Sequence, residues 1–236
     1  MNGALYLASW KRRDCANIKP EELYDLELLQ LENRGPEIQK SWAIVDPQAV
    51  YYLKAPNLCD FASSDLESHL KKEIEICEIL RKHPHHNIAT YYGCRANNGR
   101  ASGLYFKRYE ATLLEIVNPQ RLNKRAFISS GRSLVNNSLE RELDILAQGL
   151  DHLHSLGLVH NDITPANIMR EKDTGTLVLV DFGSCRRIGE SLRATLARRT
   201  HEWHDPGVDI SGAENDTRAF TELRTWLRGS VEELQW

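Results

Sequence analysis

Apolar positions along this chain repeat with two different periods, and their order predicts the architecture. Leu66, Leu70, Ile74, Cys77 and Leu80 recur at steps of three and four with charges between them, which predicts an amphipathic helix from Leu66 to Lys82. Pro84 stops it, because the residue before a proline avoids helical backbone. A second helix is predicted to run up to Gly157, with Leu139, Leu143, Leu146, Leu150 and Leu153 on one face. Asn137 and Glu140 read as its capping box. A third is predicted from about Glu214 to Leu227. A shorter one, Glu21 to Glu32, follows Pro20, a residue suited to the first helical turn.

The strand signals lie between these helices. Ser41–Val45 and Ala49–Lys54 read as two strands separated by the turn Asp46-Pro47-Gln48. Ile88–Tyr92 and Gly103–Tyr109 read as two more, joined by the turn-rich stretch Arg95–Arg100. Leu177-Val178-Leu179-Val180 is a continuous apolar run, the pattern of a buried strand. Residues 118–137 are polar and rich in Asn and Ser, and predict a loop with at most short helical pieces. Strands, helix, strands and then mostly helices predict a small sheet-rich lobe followed by a helical one.

Composition narrows the function classes. The 236 residues are 41% hydrophobic and 27% charged, with a formal net charge of −3, so a core can be buried and no long-range attraction to nucleic acid or an anionic membrane is expected. Cys15, Cys59, Cys77, Cys94 and Cys185 form no C-x-x-C pair, which predicts reduced thiols in an intracellular compartment. No stretch reaches the roughly 18 apolar residues of a membrane span. The apolar patch Ala4–Trp10 precedes its charges rather than following them, unlike a secretory signal. A cytoplasmic location, with or without the nucleus, is the expectation.

The candidate chemistry sits in two segments. One is His160-Asn161-Asp162-Ile163-Thr164-Pro165-Ala166-Asn167, after the long helix; the other is Asp181-Phe182-Gly183, after the buried strand. Asp162 can accept a hydroxyl proton. Asn167 and Asp181 offer the hard oxygen ligands that Mg²⁺ takes alongside phosphate oxygens. Together they resemble the catalytic loop H-R-D-x-x-x-x-N and the metal-binding D-F-G of protein kinases.

The resemblance covers roughly residues 49–227 and is closest to short, divergent kinase-like proteins of filamentous fungi. It implies an α+β, bilobal fold in one domain spanning 1–236: a small antiparallel-sheet N-lobe (1–110, its first ~45 residues divergent) with one helix, and a mainly helical C-lobe (111–236) truncated after the helix that contains Asp216. It implies ATP and Mg²⁺ as cofactors, and ATP-dependent phosphoryl transfer to a protein Ser/Thr hydroxyl, with Asp162 as base and Asn167 and Asp181 as metal ligands. Lys54 matches the lysine of V-A-I-K, which contacts phosphates. Glu73, 19 residues on, matches its partner glutamate, with Glu75 as the fallback. His86-Asn87-Ile88 matches the turn after that helix. Phe106 matches the residue guarding the adenine pocket, and Lys107 to Tyr109 the backbone that pairs with adenine. Asp216 matches an aspartate that supports the catalytic loop through backbone N–H groups, though its place near a helix start explains a carboxylate equally well. His160 is expected to pack under Phe182. The expected chain is a monomer whose partners are ATP and a protein substrate, with no nucleic acid and no membrane.

Several positions depart from the pattern. Only Gly35 lies in the region 33–48 that should hold a glycine-rich loop, and such a loop needs glycines for close approach to phosphates. Tyr52 replaces a small alanine and by strand alternation faces the same side as Lys54. Thr164 replaces a lysine, Asn161 replaces the arginine that reads a phosphorylated loop, and Gly207, just after the segment Thr200–Pro206 that matches T-x-x-Y-x-A-P-E, replaces the glutamate of A-P-E. Two other readings therefore stand beside the enzyme: a pseudokinase binding or scaffold module, and a small-molecule kinase similar to aminoglycoside phosphotransferases.

Overall fold

The computed structural model describes residues 51–55, 66–97, 100–193 and 199–235. The helix expected over 21–32, the strand 41–45, the start of the strand ending at Lys54 and the glycine-poor region 33–48 lie outside them. Three strands form the first sheet: β1 (Tyr51–Lys54), β2 (Tyr91–Asn97) and β3 (Arg100–Lys107), antiparallel in the order β1-β3-β2. The hairpin is longer than its sequence predicts: β2 runs on to Asn97 and β3 resumes at Arg100, so ladder hydrogen bonds take up most of the stretch read as a turn. Ile88, read as a strand start, instead makes a single parallel bridge to Leu179, and Tyr109 lies past the end of β3.

Helix α1 spans Leu66–Lys82, as its periodicity predicts, and buries Ile74, Cys77 and Leu80. The turn after it is locked to the lower half of the molecule. Asn87 donates from Nδ2 to the Leu177 carbonyl at 2.8 Å, and its own carbonyl accepts from the Leu179 N–H at 2.8 Å. Both partners lie on β7 (Leu177–Leu179), which pairs with β6 (Ile168–Arg170), itself paired with β4 (Ala111–Thr112).

The lower half is organised around α4 (Asn137–Ser155), whose Leu139, Leu143, Leu146, Leu150 and Leu153 are all buried. Each such side chain contributes roughly 1.5–3 kcal/mol on leaving water. The N-cap is Asn136 rather than Asn137: its Oδ1 accepts from Ser138 N and Leu139 N, both at 3.0 Å. Glu140 is thereby released from capping and pairs with Arg224 and Arg228 of α5 (Ala213–Arg228). Two short helices, α2 (Leu113–Val117) and α3 (Lys124–Ser129), precede α4, the second inside the stretch read mostly as loop. Its N-cap, Asn123, accepts from Ala126 N at 2.9 Å. After α4, β5 (Leu158–Val159) pairs with β8 (Arg186–Arg187). Among the described residues no helix is long and apolar enough to cross a membrane.

Gly149 records how closely the α1 turn seats on α4. A Cβ there would stand 2.8 Å from the Asn87 Cβ. Gly149→Ala is expected to destabilise the fold by about 1–3 kcal/mol, despite alanine's better helix propensity. Urea unfolding checks this through a lower midpoint at unchanged slope.

Candidate active site

Four elements bring the site together. β1 ends on Lys54, α1 carries Glu73, the loop after β5 carries Asp162 and Asn167, and the loop after β7 carries Asp181. Lys54 Nζ donates to Glu73 Oε1 at 2.5 Å and to Asp181 Oδ1 at 2.7 Å. The carboxylate that meets Lys54 is thus Glu73 and not Glu75. Burial alone would lower the Lys54 pKa, but the charges of Asp181 and Glu73 reverse that and hold it well above the ordinary value. Burial pushes Glu73 up, against the pull of Lys54. Asp181 is also desolvated by burial, but the Lys54 ammonium outweighs this and holds its carboxyl below the ordinary value, so it stays ionised. A second tie comes from the loop after β8: Lys72, next to Glu73, pairs with Glu190 at 2.8 Å and braces the same end of α1.

The backbone of the two motif loops is shaped by local hydrogen bonds. Asp181 has φ +66°, in a region that aspartate tolerates better than most residues, and its Oδ1 accepts from Gly183 N at 3.2 Å. Thr164, which stands where a lysine was expected, is buried, and its Oγ1 accepts from Ala166 N and Asn167 N, both at 3.2 Å. Its role here is to close the turn that presents Asn167. Asn161 has φ +62° and is buried among polar partners. Its Nδ2 donates to Val159 O, Ser184 O and Ser211 Oγ, and its Oδ1 accepts from Asn215 Nδ2. An arginine's longer, charged side chain would fit neither that pocket nor its mix of acceptors and donor.

Beneath this loop lies Asp216, fully buried in the first turn of α5. Its Oδ2 accepts from His160 N at 2.8 Å and lies 2.9 Å from His154 Nε2; its Oδ1 accepts from Asn161 N at 2.7 Å. His160 packs its ring 5.6 Å from that of Phe182, and its Nε2 lies 3.0 Å from the Val180 carbonyl, which it reaches as donor.

Asp162 is buried and held from two sides. Asn167 Nδ2 donates to its Oδ2 at 2.8 Å, and Thr200 donates from N to Oδ1 at 2.7 Å and from Oγ1 to Oδ2 at 3.1 Å. Burial raises its pKa, and the Thr200 N–H opposes the rise. With its nitrogen spent on Asp162, Asn167 offers its carbonyl oxygen as a ligand atom, and Asp181 is left with an Oδ2 that no described donor occupies. Among the described residues no group of three His, Cys, Asp or Glu side chains could hold a metal ion unaided. One carboxylate and one amide oxygen suit Mg²⁺ that arrives with phosphate oxygens, not a resident metal.

Phe106 is buried, 5.5 Å from the Tyr91 ring, and is the cross-strand partner of Tyr52, so both rings stand on the face of the sheet that carries Lys54. The Lys107 N–H donates to Thr90 O at 2.9 Å, and the Lys107 ammonium pairs with Glu171. The Tyr109 hydroxyl accepts from Thr90 N at 3.0 Å, which pins the segment after β3. Sequence reasoning missed the contact of Thr200 with Asp162 and the brace from Lys72 to Glu190. Neither has a signal in a single chain, because each depends on where a distant loop returns.

Residues 49–218 match the family model described as the protein kinase domain. The chain is 29% identical over 157 residues to the serine/threonine-protein kinase mig-15 of Caenorhabditis elegans, covering 62% of this chain and 13% of that protein. It is 29% identical over 166 residues to glycogen synthase kinase 1 of Pyricularia oryzae, covering 68% and 38%. It is 42% identical over 86 residues to protein kinase MCK1 of Saccharomyces cerevisiae, covering 36% and 22%. The match therefore spans less than two fifths of the length of each of these relatives. By its family match and its fold, the chain belongs to the protein kinase domain family.

Proposed function

We propose that this chain transfers a phosphoryl group from ATP to a protein Ser or Thr hydroxyl. The observation that carries the reading is the bridge from Glu73 through Lys54 to Asp181, formed between three elements distant in sequence. Phosphoryl transfer asks mainly for positioning and charge neutralisation. Lys54, oriented by Glu73, supplies a fixed positive charge for phosphate oxygens. Asp181 and the Asn167 carbonyl would hold Mg²⁺, which when bound neutralises charge on the transferring group. Asp162 takes the proton of the incoming hydroxyl, and Thr200 and Asn167 hold its carboxylate in place. The three described free cysteines are buried, and burial pushes the Cys94 thiol up to about 12, so they are poor nucleophiles.

A binding module without turnover is the second reading, favoured by Tyr52 standing beside Phe106 on the face that carries Lys54. Thermal unfolding with millimolar ATP, with and without Mg²⁺, separates the two. The enzyme reading expects a Mg²⁺-dependent rise in melting temperature that Asp181→Asn removes. No rise in the wild type supports the binding module, and equal rises in both proteins take Asp181 out of the metal site.

A further inference from the structure

Lys124 opens α3 and Glu222 lies in the middle of α5, and their side chains are only 5% and 0% exposed. The Lys124 ammonium donates to the Glu222 carboxylate and, at 2.6 Å, to the backbone carbonyl of Glu202. It also lies 4.5 Å from the centre of the Trp203 ring. The other Glu222 oxygen accepts from the Gln235 N–H at 2.9 Å. Trp203 stands edge-on to Trp226 of α5 at 5.5 Å, and Trp226 stacks on Phe127 of α3 at 4.1 Å. Two helices and the segment containing Trp203 thus close around one ammonium group.

A buried ion pair is a costly way to hold two helices together, because apolar side chains of similar size do so at least as well. What apolar side chains lack is a donor for the Glu202 carbonyl. That carbonyl lies two residues from Thr200, which gives Asp162 both its N–H and its hydroxyl. The Trp203 N–H donates to the Thr200 carbonyl at 3.2 Å, so the held residues and the contacting residue form one turn.

We propose that Lys124, with Glu222 and Trp203, is the anchor that positions the segment 199–206, setting Thr200 on Asp162 and shaping the surface that presents the acceptor hydroxyl. These are positioning residues: none is placed to touch the nucleotide. The inference rests on the phosphotransfer reading for its kinetic consequence, but not for its structural one.

The test is the double variant Lys124→Met/Glu222→Leu, which removes both buried charges and is expected to keep or raise the melting temperature. Amide hydrogen exchange at residues 199–206 is expected to quicken at least tenfold while α4 amides keep their protection. With dephosphorylated casein as acceptor, kcat/KM for casein is expected to fall at least tenfold while KM for ATP stays within twofold; Lys124→Arg, which keeps a donor and a charge, recovers most of it. Unchanged exchange at Thr200, or unchanged transfer to casein, overturns the anchor. If the wild type transfers no phosphate, the phosphotransfer reading fails, and exchange alone decides the anchor. Should the double variant not fold, Trp203→Leu, which removes the ring from the segment itself, is expected to give the same exchange signature, and unchanged protection there overturns the proposal.

Discussion

Asp162→Asn is expected to abolish measurable phosphoryl transfer while leaving the fold and Mg·ATP binding intact. The amide is nearly isosteric and keeps an oxygen for one of the two Thr200 donors, but it cannot take the proton of an attacking hydroxyl. General-base catalysis contributes typically 10²–10⁴-fold, so the loss should reach that range. The environment of the carboxylate adds a second signature. Burial raises its pKa above the ordinary 3.8. The base works only when ionised, so the acid limb of kcat/KM against pH should lie above the limb an exposed aspartate would give. Activity is lost as pH falls through that raised value and is regained above it. Thr200→Val removes the hydroxyl donor to Oδ2 while keeping the N–H, and should move this limb further up. Transfer by Asp162→Asn within threefold of wild type removes Asp162 as the base.

How much of this was legible in the chain depends on how far apart the interacting residues lie. Helices α1 and α4 follow from periodicity because each buries a face against a common core, and that constraint repeats every turn. Asp162, Asn167 and Asp181 were found because their spacing is short and their residue types are dictated by chemistry. The Lys54–Glu73 pair was legible only once those motifs supplied the frame, since a lysine at a strand end and a glutamate on a helix are ordinary features alone. The N-cap slipped by one residue because Asn136 and Asn137 are chemically identical, and only the backbone decides which side chain reaches the free N–H groups.

The failures share a different cause. Thr164 and Asn161 looked like losses when set against a pattern, because a pattern records what is missing and not what the replacement does. In the fold each satisfies buried backbone or side-chain groups that would otherwise lack partners. Lys124 and Glu222 carry no signal in sequence. Lys124 lies in the stretch read mostly as loop and Glu222 within the last predicted helix, and their burial follows from where α3 and the segment 199–206 come to rest on α5. Long-range polar pairs of this kind are set by tertiary packing, which a single chain does not display as a period.

Asp216→Ala is expected to be the most destabilising single change outside the hydrophobic core. The carboxylate is fully buried and accepts from the His160 and Asn161 N–H groups, and His154 reaches it as well. Alanine leaves two buried backbone donors without acceptors. At about 1–3 kcal/mol for each, the cost is about 2–6 kcal/mol, or roughly 4–24 °C in melting temperature for a domain of this size. The damage should not stay local. Asn161 sits at φ +62° and is tied to Ser184 beyond the D-F-G motif and to Ser211 and Asn215 before and within α5. Releasing its N–H frees a residue in a sparsely populated conformation, and the loop that aims Asp162 relaxes with it. Asp216→Asn separates the two effects. It keeps one acceptor oxygen but turns an NH₂ group toward the second N–H, so it should recover part of the stability and little of the transfer. Calorimetry and a transfer assay on the same two variants check this: a full recovery of transfer by asparagine would mean that one hydrogen bond, not the pair, holds the loop.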